Sequence, residues 1–180
     1  MCFTQEGRFI DMEILEKISI RGRVAYTICL FEQILEYYKC KGQEWKIVLE
    51  KLWTYTNIDF LDDWMYELAE YMPDSILEDT VDDCEFITIE EFNHLYNLYS
   101  KSCSEIKLFL KLIFEIGTID LYSKLVDNSP NTIEKVKEAI NILNNNNIRA
   151  ISIEPFEKYS FNECNGWGKQ FDGRKLSIFL

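Results

Sequence analysis

Residues 21–40, RGRVAYTICLFEQILEYYKC, carry the clearest structural pattern in this chain. Apolar side chains recur there in steps of four, three, four and three positions: Val24, Ile28, Phe31, Leu35 and Tyr38. This spacing places all of them on one face of an α-helix. We therefore predict a long amphipathic helix over 21–40 whose apolar face is buried in the core.

The same spacing predicts two further helices directly after it. One covers 43–56, and the next covers 58–72, with Asn57 as its N-cap and Pro73 as its end. The chain has only three prolines and seven glycines in 180 residues. With so few residues that interrupt regular structure, a few long helices are favoured over many short strands.

Two sequences of the form Ser/Thr-x-x-Glu come just before apolar periodicity resumes. Thr88 with Glu91, and Ser102 with Glu105, match the capping box that begins many helices. The second box is followed by residues that are apolar almost all round, so we predict a helix over 103–126 and expect it to be the central one.

The last part of the chain has a different character. A proline at position 130 and the asparagines of 144–147 bound a final predicted helix. Beyond it, β-branched and aromatic runs flank a stretch rich in turn residues. We predict one domain over 1–180, all-α or mostly α, a bundle of about seven helices. Its helical body spans 1–147, and a short extended or β-like arm at 148–180 packs on that body.

Negative charge is concentrated in about a quarter of the sequence. The formal net charge is −12, and residues 52–100 contain 13 Asp and Glu but no Lys or Arg. The other 18 acids are matched by all 19 bases. This distribution disfavours nucleic acid and anionic membranes as partners and favours a cationic protein. The alternative is that the acidic faces are only hydrated surfaces that keep the protein dissolved.

The sequence carries no catalytic or cofactor-binding motif. Its one histidine, His94, lies on a predicted helix without an evident catalytic partner. The six cysteines lack metal-ligand spacing, and phosphate-binding and dinucleotide-binding fingerprints are absent. We therefore expect a protein that is not an enzyme, binds no cofactor and keeps its thiols reduced. The lack of a secretory signal and of a membrane-spanning run predicts a cytoplasmic location.

The acids near the end of the predicted helix 58–72 are the informative ones. Acids in the first turn of a helix are stabilised by its dipole, so they require no partner. Glu67, Glu70 and Asp74 lie toward the opposite end, where the dipole disfavours carboxylates and like charges four residues apart repel. This arrangement predicts that a binding partner supplies the missing cations.

We accordingly predict a partner-binding surface on the middle of the chain. Tyr66 lies among the acids and offers a rigid aromatic contact of the kind common at interface hot spots. The predicted binding residues are Asp62, Tyr66, Glu67, Glu70, Asp74, Glu78, Asp79, Asp82, Asp83 and Glu85. Nothing in the sequence specifies an oligomeric state.

Four short motifs stand out at the two ends of the chain. They are an Arg followed eight positions later by Phe-Glu-Gln at 23–33, Gly-Trp-Gly at 166–168, Phe-Asp-Gly at 171–173 and Leu-Ser at 176–177. Together they resemble the helical immunity proteins of bacterial polymorphic-toxin and contact-dependent inhibition systems. The resemblance implies a cytoplasmic antitoxin, a small and often acidic protein that binds a cognate toxin domain and blocks it. The Trp167 segment is expected to lock the C-terminal arm onto the helices, with its glycines in tight turns.

These observations lead to one functional hypothesis and two alternatives. The hypothesis is an immunity protein that neutralises a basic toxin, most simply a nuclease, by covering its phosphate-binding surface. The first alternative is a helical scaffold or adaptor whose acidic face only solubilises it. The second is a carboxylate-rich protein that binds a divalent metal or a metabolite.

Overall fold

A computed structural model describes residues 12–180 of the chain and shows an all-α bundle. Within this range there are eight α-helices: α1 (Met12–Lys17), α2 (Ile20–Tyr37), α3 (Gly42–Thr54), α4 (Leu61–Glu70), α5 (Pro73–Glu78), α6 (Ile89–Lys101), α7 (Ser104–Thr118) and α8 (Pro130–Asn145). The two shortest, α1 and α5, have six residues each. The predicted all-α bundle is thus confirmed. Within the same range, no helix combines the length and the apolar character that crossing a membrane requires.

Helix α2, which contains the apolar repeat from Val24 to Leu35, lies at the centre of the bundle. It packs against α3, α7 and α8, and 15 of its 18 residues are buried. Helix α7 contacts α2, α4, α5 and α8 but is shorter than the predicted helix over 103–126, because the chain turns after Thr118. Helix α2 is the more deeply buried of the two, whereas α7 packs against four helices and shares the centre of the bundle with it. The prediction for 103–126 is therefore wrong in length.

The predicted helix over 58–72 is in fact two helices. Asn57 is not an N-cap, since it lies in the turn after α3, and α4 begins only at Leu61. Pro73 does not end α4, which stops at Glu70; it is instead the first residue of α5. Proline suits both places, because it lacks the N–H that a helix interior needs but the first turn does not.

One of the two predicted capping boxes is confirmed. The Thr88 hydroxyl accepts the backbone N–H of Glu91 at 3.2 Å, and the Glu91 carboxylate accepts the Thr88 N–H at 2.9 Å. The box at Ser102 does not form. Ser102 follows the end of α6, where its hydroxyl donates to the Leu98 carbonyl at 2.8 Å, and Cys103 takes the cap position of α7.

The arm over 148–180 packs on the helical body as predicted, but it contains no β-strand. It consists of extended chain and three short 3₁₀ turns, at Glu154–Phe156, Cys164–Gly166 and Gly173–Leu176. A single isolated antiparallel bridge joins Ile18 to Ser160. The β-like composition therefore reflects apolar side chains that pack on helices, while several of the arm's backbone groups bond to loops and side chains of the body.

Candidate protein-binding surface

The motif residues at the start of α2 are structural. Arg23 is completely buried at 0% exposure. Its guanidinium donates to the Leu15 carbonyl at 2.9 and 3.1 Å, to the Asn128 carbonyl at 2.8 Å, and to the Thr132 hydroxyl at 2.6 Å. It therefore ties α1 and the start of α8 to α2. Burial lowers the pKa of the Arg23 guanidinium to about 10, with nearby Asp120 opposing the shift.

Glu32 does the same for the C-terminal arm. It is 1% exposed, and its carboxylate accepts the Trp53 indole N–H at 3.1 Å, the Ser177 hydroxyl at 2.6 Å and the Ile178 backbone N–H at 2.7 Å. Gln33 beside it bonds both the Arg149 carbonyl and the Ile151 N–H at 3.1 Å. The Phe-Glu-Gln and Leu-Ser motifs thus meet across the fold to fasten the arm.

The glycine motifs serve the same purpose. Gly168 has a φ of +84°, and a Cβ there would lie 2.2 Å from the Ser19 hydroxyl, so only glycine fits. The neighbouring Trp167 carbonyl accepts the Arg21 N–H at 3.1 Å, which confirms that this segment locks the arm onto α2. Gly173 requires space rather than an unusual φ, because a Cβ would lie 2.6 Å from the Trp53 ring.

The remaining chemistry-bearing side chains are dispersed. His94 is exposed, and its Nε2 lies 2.7 Å from the Glu44 carbonyl. Five cysteines of the described range are free, while Cys2 lies outside it. Burial raises the pKa of the Cys29 thiol to about 12, so it remains protonated at neutral pH. Over 13–180, no three His, Cys, Asp or Glu side chains converge so as to hold a metal ion.

Two of the predicted binding acids have partners within the protein. The Glu67 carboxylate pairs with the Lys51 ammonium of α3 at 2.8 Å. Glu70 accepts the backbone N–H groups of Glu85 and Phe86, both at 2.7 Å. The prediction that Glu67 and Glu70 have no stabilising partner within the protein is therefore wrong. Both stabilise the fold from the end of α4, through partners that lie on other segments.

Two more acids are explained by local structure. Asp83 accepts the Thr80 N–H at 3.2 Å and the Thr80 hydroxyl at 2.8 Å, and these bonds hold the pKa of Asp83 below its usual value. Asp74 lies in the first turn of α5, where the helix dipole favours a carboxylate, and not at the end of a longer helix as predicted. Asp74 still has no ion pair within residues 12–180 and is exposed.

The other predicted acids remain available to a partner. The structure gives no hydrogen bond or ion pair within 12–180 to these side chains, and all are exposed except the half-buried Asp62. With Asp74 they form what we call the open acidic surface: Asp62, Asp74, Glu78, Asp79, Asp82 and Glu85. Of the nine acids that were predicted to bind a partner, six are therefore still available for binding in the structure.

Exposed aromatic side chains lie next to Asp62. Tyr66 is 55% exposed, as its predicted role requires, and its hydroxyl lies 3.5 Å from that of Tyr122, which is 73% exposed. Phe60, at the start of α4, is 67% exposed. Phe60 and Tyr122 were missed by the sequence reasoning. Tyr122 is 56 positions from Tyr66, so no local pattern could have joined them.

No protein-family model, curated protein or solved structure matches this chain. The resemblance to helical immunity proteins therefore depends on the short motifs alone, and their residues hold the helices and the arm together.

Proposed function

We propose that this chain is an immunity protein, not an enzyme, that binds and blocks a basic toxin domain through the open acidic surface. A nuclease is the simplest toxin of this kind, since its phosphate-binding groove is cationic. The site of action would be the cytoplasm of a bacterium that makes the toxin.

The supporting observation is the contrast within the acidic segment. Residues 52–100 hold no Lys or Arg, and the only ion pair made by their carboxylates within 12–180 joins Glu67 to Lys51. The open acidic surface is therefore both concentrated and uncompensated. Such a surface attracts a cationic protein over a distance, which speeds association, and it disfavours partners with the same sign of charge.

The test is co-expression with the polypeptide encoded beside this chain. We expect that neighbour to contain a basic domain that stops growth of a bacterial host, and we expect this chain to restore growth. Purified, the two should bind with an association rate that falls steeply as salt is added.

Charge-reversal variants locate the interface. Glu78→Lys together with Asp82→Lys should abolish protection and lower the association rate at least tenfold. The matched control is Glu154→Lys with Glu157→Lys, two exposed acids of the arm, which should leave protection intact. A neighbour with no toxicity would favour the scaffold alternative, and full protection by the Glu78/Asp82 variant would exclude this surface.

A further inference from the structure

Beside the open acidic surface, the protein has a cleft lined by aromatic side chains. Its volume is about 700 Å³, and Phe60, Leu61, Leu121, Tyr122 and Trp167 are among its lining residues. We call it the aromatic cleft. These residues come from the start of α4, the turn after α7 and the C-terminal arm, so the cleft is built by the tertiary fold. A space of this size accommodates one or two large side chains of a partner.

The cleft exposes apolar surface that a folded chain normally covers. Phe60 and Tyr122 have the highest exposure of all large hydrophobic side chains in the described range, and Tyr66 continues the patch through its contact with Tyr122. Ile119 and Val126, in the same connection between α7 and α8 as Tyr122, are exposed as well. Contiguous exposed apolar surface rimmed by polar groups is typical of protein-binding sites.

Carboxylates without a cationic partner lie at the cleft. Asp62 lines it and has no cationic partner within 12–180, and the exposed Asp63 follows on the same helix turn. Two cations also line the cleft. Lys169 pairs with Glu163 at 2.8 Å. Arg21, which is only 5% exposed, donates to the backbone carbonyls of Tyr55 and Ile58, while its buried Nε–H has no partner within 12–180.

We propose that the aromatic cleft receives an arginine side chain of a basic protein partner. The guanidinium would lie on the rings of Phe60 and Tyr122 and pair with the Asp62 carboxylate. Arginine fits better than lysine because its planar group stacks on aromatic faces and binds carboxylates through two parallel hydrogen bonds. The inference rests on the proposed function and adds an anchoring site to it: the open acidic surface attracts the partner, and the cleft holds it.

The test uses oligoarginine and oligolysine peptides of equal length, with binding measured by calorimetry at low and at physiological salt. We expect oligoarginine to bind more tightly and to retain more of its affinity in salt. Replacing both Phe60 and Tyr122 by Ala should lower its affinity about tenfold, which corresponds to losing two exposed cation–π contacts. Tyr122→Phe, which keeps the ring, should bind nearly as the parent does.

The control is Tyr96→Ala, which removes an aromatic ring of the same acidic segment that does not line the cleft. It should leave oligoarginine binding unchanged. If the Phe60/Tyr122 variant binds like the parent while Glu78→Lys with Asp82→Lys abolishes binding, the cleft is excluded and the proposed function stands. If the parent binds neither peptide, the cleft proposal fails, and the co-expression test decides the proposed function separately. Tighter binding of oligoglutamate than of oligoarginine would instead make the cleft an anion site through Arg21 and Lys169.

Discussion

Glu32 and Glu78 have the same type of side chain, but one is buried and the other is exposed to solvent. Glu32 lies in α2 and is surrounded by the donors of Trp53, Ser177 and Ile178. Glu78 ends α5, is exposed and has no partner within 12–180. A buried charge without partners would cost several kcal/mol, whereas a hydrated one costs little. The comparison teaches that charge is structural around α2 and available for binding on the open acidic surface.

The largest effect on stability is expected when the buried charge of Arg23 is removed. Arg23→Met should lower the free energy of unfolding by about 3–5 kcal/mol, because it removes the hydrogen bonds that a completely buried guanidinium donates to the Leu15 and Asn128 carbonyls and to the Thr132 hydroxyl. Chemical denaturation measures the change. Arg149→Met is the matched control, since Arg149 is exposed and should change stability by less than about 0.5 kcal/mol. Equal effects of the two substitutions would contradict the structural role of Arg23.

Glu32→Gln should have the next largest effect. The amide keeps one acceptor oxygen but presents N–H groups where the Ile178 N–H or the Ser177 hydroxyl now donates. We expect a loss of about 2–3 kcal/mol in the free energy of unfolding. Limited proteolysis should also cleave the arm faster. Glu36→Gln, at an exposed position of the same helix, should leave both measurements unchanged; an intact arm in the Glu32 variant would count against the fastening role.

The pH dependence of stability separates buried from exposed groups. Burial raises the pKa of Cys29 from 9.0 to about 12, so the unfolded chain loses this proton before the folded protein does. The stabilisation is therefore complete below pH 9.0 and declines above it, by about 1.4 kcal/mol for each pH unit, until about pH 12. Urea midpoints across this range measure the slope. Cys29→Ala should reduce the slope most clearly between pH 9 and pH 10, below the range in which the buried tyrosines, whose pKa values burial also raises, begin to contribute. Cys164→Ala, at an exposed thiol, should not reduce it; identical slopes would refute the assignment.

The smallest effect is expected at the open acidic surface itself. Neutralising Asp74, Glu78, Asp79 and Asp82 to their amides should change the free energy of unfolding by no more than about 0.5 kcal/mol, or raise it slightly by relieving repulsion. Glu70→Gln, a single change nearby, should cost about 1–2 kcal/mol because it weakens two bonds to the backbone. A large loss from the fourfold variant would mean that these carboxylates also serve the fold.

The helices could be predicted from the sequence because their apolar spacing is local. The pattern at Val24, Ile28 and Phe31 depends only on neighbours three and four positions apart, and the Thr88 box on residues three apart. Pro73 misled the prediction, because the same residue can follow one helix and begin another. A proline marks a helix boundary, but it does not show whether the helix ends before it or begins at it.

The partners of the acids could not be predicted, since they come from distant segments. Glu70 bonds to backbone 15 and 16 positions later, and the loop that delivers those groups has no periodicity. The contact between Tyr66 and Tyr122 likewise depends on how α4 and α7 pack. Charge composition located the acidic segment, but only the fold separates the carboxylates that it uses from those that it leaves open.

Two of the three donors to Glu32 have a consequence for how the protein is made. The Trp53 indole lies only 21 positions away. The Ser177 hydroxyl and the Ile178 N–H lie 145 and 146 positions further along the chain, so the ribosome produces them on the order of ten seconds after α2. Until they emerge, the Glu32 carboxylate has only one of its three protein donors, so we expect it to stay hydrated. We therefore expect Glu32 to become buried late in synthesis, when the arm docks on α2.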